Sequence, residues 1–197
     1  PNMTQGFRND VQGLRAIAVL TILVFHLRES WCPGGFIGVD IFFVISGYLI
    51  TRMILADGAN FSFKSFYVRR FFRLYPALLV TLALSLVAGG RILGPADYLA
   101  LAQSAMTAAL GFSNFSFSSA VDYFNAASHA HHLLHTWSLG VEEQFYLVWP
   151  LALLLARRWL AHIWVVIAVM ATASFLALQV IQARNPHLAF YMMPFRI

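Results

Sequence analysis

Charge is what this sequence has least of. Only 11% of its 197 residues are Asp, Glu, Lys or Arg, while 60% are hydrophobic; a soluble domain carries about 25% charged and about 45–50% apolar residues. So few charges cannot cover a water-facing surface, which excludes an ordinary soluble domain and leaves lipid as the main solvent. Acidic residues are scarcer than basic ones, 8 against 13. Five of the basic residues fall between Arg52 and Arg73, a clustering that reads as a cytosolic loop under the positive-inside rule and argues against nucleic acid as a partner. Cysteine occurs once, as Cys32 beside Pro33 and Gly34, so there is no internal disulfide framework. A small-residue cleavage site is also missing after the first apolar stretch, where Arg28, Glu29 and Trp31 follow instead. That stretch is expected to be a retained span rather than a secretory leader. Repeats and low-complexity tracts are lacking too.

Apolar runs and aromatic residues, by contrast, are plentiful. A membrane-crossing helix needs about 20 mostly apolar residues. Such stretches are expected at 14–27, 36–55, 75–93, 137–156 and 163–181, with a softer, Ala-rich helix over 97–112 whose Gln103 and Ser104 suit contact with protein or a partial crossing. Residues 56–74 read as a polar, basic loop and 113–135 as a loop bearing Ser, Asn and His. The expected fold is all-α: a polytopic transmembrane helical bundle with about six membrane segments. The start at Pro1 and the Pro-Phe-Arg-Ile end lead us to expect a piece of one longer membrane domain spanning 1–197. Arg8 and the basic 64–73 stretch place the N-terminus in the cytosol. Arg157-Arg158 also favour the cytosol, yet a full crossing by 97–112 would put that pair outside, so one weak span is a candidate re-entrant segment.

Ionisable groups inside such spans are costly and are functional candidates by default. His26 sits in the first apolar stretch, eleven residues after Arg15. Eleven steps of about 100° return a helix to nearly the same face, about 16 Å along its axis. A histidine near neutrality can take a proton from a hydroxyl and return it; a structural histidine bonded to a neighbouring helix is the competing role. Asp40 stands at a membrane entrance, and Ser46-Gly47 allow close helix approach. In Lys64-Ser65-Phe66-Tyr67-Val68-Arg69-Arg70-Phe71-Phe72-Arg73, the three arginines can share a helix face and grip phosphates through forked hydrogen bonds. Anchoring to lipid headgroups is the alternative there. His135-Thr136-Trp137-Ser138-Leu139-Gly140-Val141-Glu142-Glu143-Gln144-Phe145-Tyr146 opens another span. Glu142 and Tyr146, at i and i+4, can face one cavity, where a carboxylate could orient a histidine or hold a proton. His129, His131, His132 and His135 fit no zinc-ligand spacing, so no metal is expected.

These residues resemble the membrane acyltransferase 3 family across nearly the whole chain. The resemblance is carried by Phe7-Arg8-Asn9-Asp10-Val11-Gln12-Gly13-Leu14-Arg15-Ala16, His26, Gly35 through Gly47, Arg70-Phe71-Phe72-Arg73, and His135 through Tyr146, in that order. It implies about ten transmembrane helices in the complete fold. It also implies transfer of an acyl group, usually acetyl, from acyl-CoA to a carbohydrate hydroxyl of a cell-surface glycan such as lipopolysaccharide O-antigen, exopolysaccharide or peptidoglycan. The stretches 33–51 and 135–150 are similar to the subgroup that adds an SGNH-type domain outside the membrane. On this footing Arg70, Arg73 and Arg69 would receive the CoA phosphates, and Arg15 would help bind the donor. His26 would be the general base or first acyl acceptor, and Glu142 would tune the proton path. Asp40, Trp137 and Tyr146 would contact the acceptor. The implied partners are acyl-CoA, the glycan and lipid, and the implied location is the bacterial inner membrane. A transporter of acyl groups or glycans is the rival reading, since it too would set Arg, His and Glu within spans.

Overall fold

Long apolar runs with few breakers can satisfy their backbone in lipid only as helices. The computed structural model describes residues 8–120, 131–159 and 163–195, and all regular structure among them is helical. Phe7 and His129 lie outside the described residues. The chain divides into two compact units, one up to Ala56 and the other from Asp57 onward.

The first unit holds α1 (Asn9–Leu27), a short 3₁₀ turn (Glu29–Trp31) and α2 (Ile37–Asp57). α1 begins five residues before the apolar stretch that announced it, so Asn9–Leu14 is helix as well. The two helices meet at glycines. A Cβ on Gly38 would sit 2.5 Å from the Ala18 carbonyl oxygen and 2.7 Å from Ile22 Cγ1, and one on Gly35 would sit 2.7 Å from Phe25 Cβ. Small residues let helix backbones approach closely in lipid. Ala18, Thr21, Ile22 and Phe25 therefore form the stripe of α1 that faces α2. At about 100° per residue, Arg15 and His26 lie on one adjoining stripe, roughly 80° further round. Gly38→Val is expected to overpack this seam at a cost of about 1–3 kcal/mol. The thermal midpoint of the complete protein in detergent should fall; an unchanged midpoint would mean that the seam does not hold α1 to α2.

The second unit comprises α3 (Phe63–Ile92), α4 (Pro95–Ala109), α5 (Ser113–Ala120), α6 (Thr136–Trp159), α7 (Ile163–Arg184) and α8 (Pro186–Tyr191). Two stretches expected to be loop are helix. Residues 63–74 form the first three turns of α3, capped by Ser62, whose Oγ accepts from the Ser65 amide at 3.4 Å. The composition of this stretch reads as loop, although the spacing of Arg69, Arg70 and Arg73 already allows a shared helix face. Ser113–Ala120 is also helical, and its buried polar groups are satisfied: Ser113 Oγ donates to the Thr136 carbonyl at 2.7 Å. Leu78 and Leu82 of α3, Leu101, Ala105 and Ala108 of α4, and Leu133 form a buried apolar cluster.

Among the described residues five helices are long and apolar enough to cross a membrane: α1, α2, α3, α6 and α7. The expected sixth, α4, has 15 residues and reaches only about 22 Å, short of a hydrocarbon core of about 30 Å. α3 and α6 run antiparallel, because Tyr67 reaches Leu147 while Tyr75 reaches Glu143. The basic start of α3 and the end of α6 that carries Arg157 and Arg158 therefore share one end of this unit.

Candidate functional site

α3 and α6 meet through long side chains, leaving between them a cavity of about 340 Å³. The turn from α4 to α5 closes one side. Gly111 makes that turn, at a φ of +73° that favours glycine. Its amide donates to the Ala108 carbonyl at 3.1 Å, and the Phe112 amide donates to the Thr107 carbonyl at 2.8 Å, a Schellman ending of α4. Gln144 fixes the turn to α6: its Nε2 donates to the Gly111 carbonyl at 3.1 Å and to Asn114 Oδ1 at 2.8 Å. Asn114, fully buried, donates in turn to the Tyr191 carbonyl at 3.2 Å. This network ties α5, α6 and α8 together behind the cavity wall, and satisfied buried networks of this kind rigidify what they hold.

The wall itself is mostly apolar and aromatic, with Tyr67, Phe71, Leu74, Phe112 and Leu147. Two charged groups stand in it. Arg70 is half-buried; its guanidinium carbon lies 4.4 Å from the centre of the Tyr146 ring and its Nη1 donates to Tyr146 Oη at 3.3 Å. The Tyr146 hydroxyl donates to the Glu142 carboxylate. The result is a short chain of contacts, Arg70 to Tyr146 to Glu142, that holds the guanidinium in place. Glu143 is the second charged group. The Tyr75 hydroxyl donates to its Oε2 at 3.3 Å. Its Oε1 is buried, and no donor among the described residues reaches it. A Cβ on residue 111 would run into this carboxylate, so the glycine at the turn makes the room that Glu143 occupies.

Of the residues expected at a site, Arg70 and Tyr146 line the cavity and Glu142 stands bonded behind Tyr146. Arg69 and Arg73 are exposed and not part of the lining; Arg69 donates back to Ser65 Oγ one turn earlier. The three arginines thus do not line the cavity as one row. Trp137 is 3% exposed and packs against Phe190 and Tyr191, with ring centres at 4.8 and 5.5 Å. It is a core residue, away from the cavity wall.

In the first unit, Arg15 is half-buried, Asp40 is half-buried in the first turn of α2, and His26 is exposed, with its ring edge-on to Phe25 at 5.4 Å. Near the N-terminus Arg8 pairs with Asp10 and donates to Tyr48 Oη at 3.1 Å. That carboxylate holds the exposed Arg8 guanidinium firmly in its charged form.

Sequence reasoning missed Glu143, Tyr75, Gly111, Gln144 and Asn114. Gly111 carried a signal, as a glycine just past an Ala-rich helix. Glu143 carried a weaker one: with Tyr146 and Leu147 it makes an i, i+3, i+4 set on one face of α6. The pairing of Asn114 with Gln144 bridges 30 positions and leaves no local trace.

The chain matches a family described as an acyltransferase domain over residues 8–196. It is 40% identical over 157 residues to the peptidoglycan O-acetyltransferase OatA of Listeria monocytogenes, covering 78% of this chain and 25% of that protein. A Staphylococcus aureus protein provisionally named an O-acetyltransferase is 41% identical over 165 residues, covering 77% of this chain and 27% of that protein. A Bacillus subtilis protein provisionally named a peptidoglycan O-acetyltransferase, YrhL, is 40% identical over 148 residues, covering 73% and 23%. The chain thus spans about a quarter of the length of these relatives. No solved structure matches it.

Proposed function

Because the chain belongs to the acyltransferase family that matches residues 8–196, we propose that it is the part of a membrane O-acyltransferase that receives the donor and supplies the base. The reaction moves an acyl group, acetyl in the first instance, from acyl-CoA to a hydroxyl of a cell-surface glycan. Peptidoglycan stands in the names of two of the relatives, which favours that polymer as acceptor over lipopolysaccharide O-antigen.

The observation that carries this reading is Arg70, held by Tyr146 on the wall of an otherwise apolar cavity. A fixed guanidinium beside an apolar slot suits a donor that has a phosphate at one end and an uncharged chain at the other. Arg69 and Arg73, on the exposed side of the same helix end, would meet the nucleotide phosphates, and Arg15 would assist. His26 accepts the proton of the sugar hydroxyl as its oxygen attacks the thioester carbonyl. The carbon–sulfur bond then breaks, and the leaving thiolate takes the proton from the imidazolium, so CoA leaves as the thiol and the base is restored. Glu142, through Tyr146, keeps Arg70 in place, and Asp40 contacts the acceptor.

The site belongs in the bacterial inner membrane with the N-terminus in the cytosol. The shared end of α3 and α6, with basic residues on both, is then the cytosolic one. Mass spectrometry of cell-envelope glycans from cells with and without the complete gene tests the function. O-acetyl esters on one polymer are expected to disappear with the gene and return with it; an unchanged ester content on every polymer would refute the reading.

A further inference from the structure

A buried carboxylate oxygen without a donor is expensive, and among the described residues no donor reaches Glu143 Oε1. Three features keep the carboxylate where it is. Tyr75 holds Oε2, Gly111 leaves room beside it, and Gln144, the next residue, is fixed to the Gly111 carbonyl. Glu143 thus stands in the cavity lining with one oxygen that no donor among the described residues uses. Along α6 it lies three residues, about 4.5 Å of helix rise, from Tyr146 and the Arg70 that Tyr146 holds. At about 340 Å³ the cavity is at the small end of ligand pockets, which run about 300–1,000 Å³. It has space for a narrow chain.

We infer that Glu143 binds the arm of the acyl donor, its carboxylate accepting one of the arm's amide N–H groups, while Arg70 takes the phosphate at the arm's far end. This rests on the acyl-CoA reading above. It adds that the arm threads between α3 and α6, and that Glu143 rather than its neighbour Glu142 touches the substrate. The arm of a CoA thioester has the matching chemistry: methylenes for the apolar wall, amide N–H groups for a carboxylate, and a phosphate for a guanidinium. A phospholipid shares the apolar chain and the phosphate, but its acyl chains carry no N–H to meet a carboxylate deep in the wall.

The test uses the complete protein in lipid nanodiscs, with acetyl-CoA as the probe. Glu143→Leu is expected to raise the KM for acetyl-CoA about tenfold or more, the scale of a lost hydrogen bond to a charged group, with kcat within about twofold and the thermal midpoint unchanged or higher, since an unpartnered buried oxygen is removed. Gly111→Ala keeps the carboxylate but drives it out of place and should raise KM in the same direction. A KM unmoved in Glu143→Leu overturns the inference while leaving the transferase reading intact. So does a KM that rises only together with a fallen midpoint, or a phospholipid that co-purifies with wild type and is lost from the variant while KM stays put. Wild type that neither binds nor turns over acetyl-CoA overturns both.

Discussion

Replacing His26 by alanine is expected to lower kcat for acyl transfer by about 10²–10⁴, the scale of a positioned general base, with little change in stability. Both parts follow from placement. His26 is exposed on α1, on a stripe that does not face α2, so its removal opens no cavity in the first unit. An imidazole on a membrane helix whose one ring contact among the described residues is a neighbouring phenylalanine on the same helix has little to contribute to the fold, and a purely structural role would predict the opposite pattern of effects. Steady-state kinetics on the complete protein, beside its thermal midpoint, separates the two. Loss of stability with retained turnover would return His26 to the structural role.

The second large effect is expected at Arg70. In the acyl-CoA proposal, truncation to alanine removes a charge-assisted contact to the donor phosphate, worth about 1.5–3 kcal/mol, so acetyl-CoA affinity should fall roughly 10- to 100-fold. Arg70→Lys should recover only part of this. Lysine keeps the charge but loses the planar fork and the stacking on Tyr146 that fixes its direction. Arg69→Ala and Arg73→Ala should each cost less, because both side chains are exposed at the rim rather than held on the wall. Equal effects at all three positions would mean that the helix end attracts donor phosphates by net charge, and that the stacked geometry of Arg70 is incidental.

The arginine comparison shows where sequence and structure part. Helical spacing correctly allows Arg69, Arg70 and Arg73 to sit near one another, but it cannot say which of them meets another helix. That depends on Tyr146, 76 residues away. The same limit explains Glu142 and Glu143. Spacing pairs Glu142 with Tyr146, and the two are indeed bonded, yet this bond occupies Glu142 and leaves the cavity to its neighbour. Trp137 enters as an acceptor contact through the resemblance alone; α8, six residues that no local pattern announced, packs over it.

The membrane helices were legible because length and hydropathy alone decide them in lipid. The first turns of α3 were not. Arg and Lys lower hydropathy without lowering helix propensity, so a span and its basic extension form one 30-residue helix with a visible seam only in composition. Asn114 and Gln144 illustrate the remaining gap. Each looks like an ordinary polar residue in its own segment, and only the fold brings the two amides together behind the site.

The central claim is that an imidazole on α1 and a stacked guanidinium on α3 serve one acyl transfer. Membrane vesicles carrying the complete protein, with the cytosolic face outward, can be given acetyl-CoA labelled in the acetyl group and then assayed for ester-linked label on glycan. Wild type should transfer label, His26→Ala should bind acetyl-CoA normally and transfer none, and Arg70→Ala should transfer only at raised acetyl-CoA. Full transfer by His26→Ala, or label on glycan that is independent of acetyl-CoA concentration in Arg70→Ala, would contradict it.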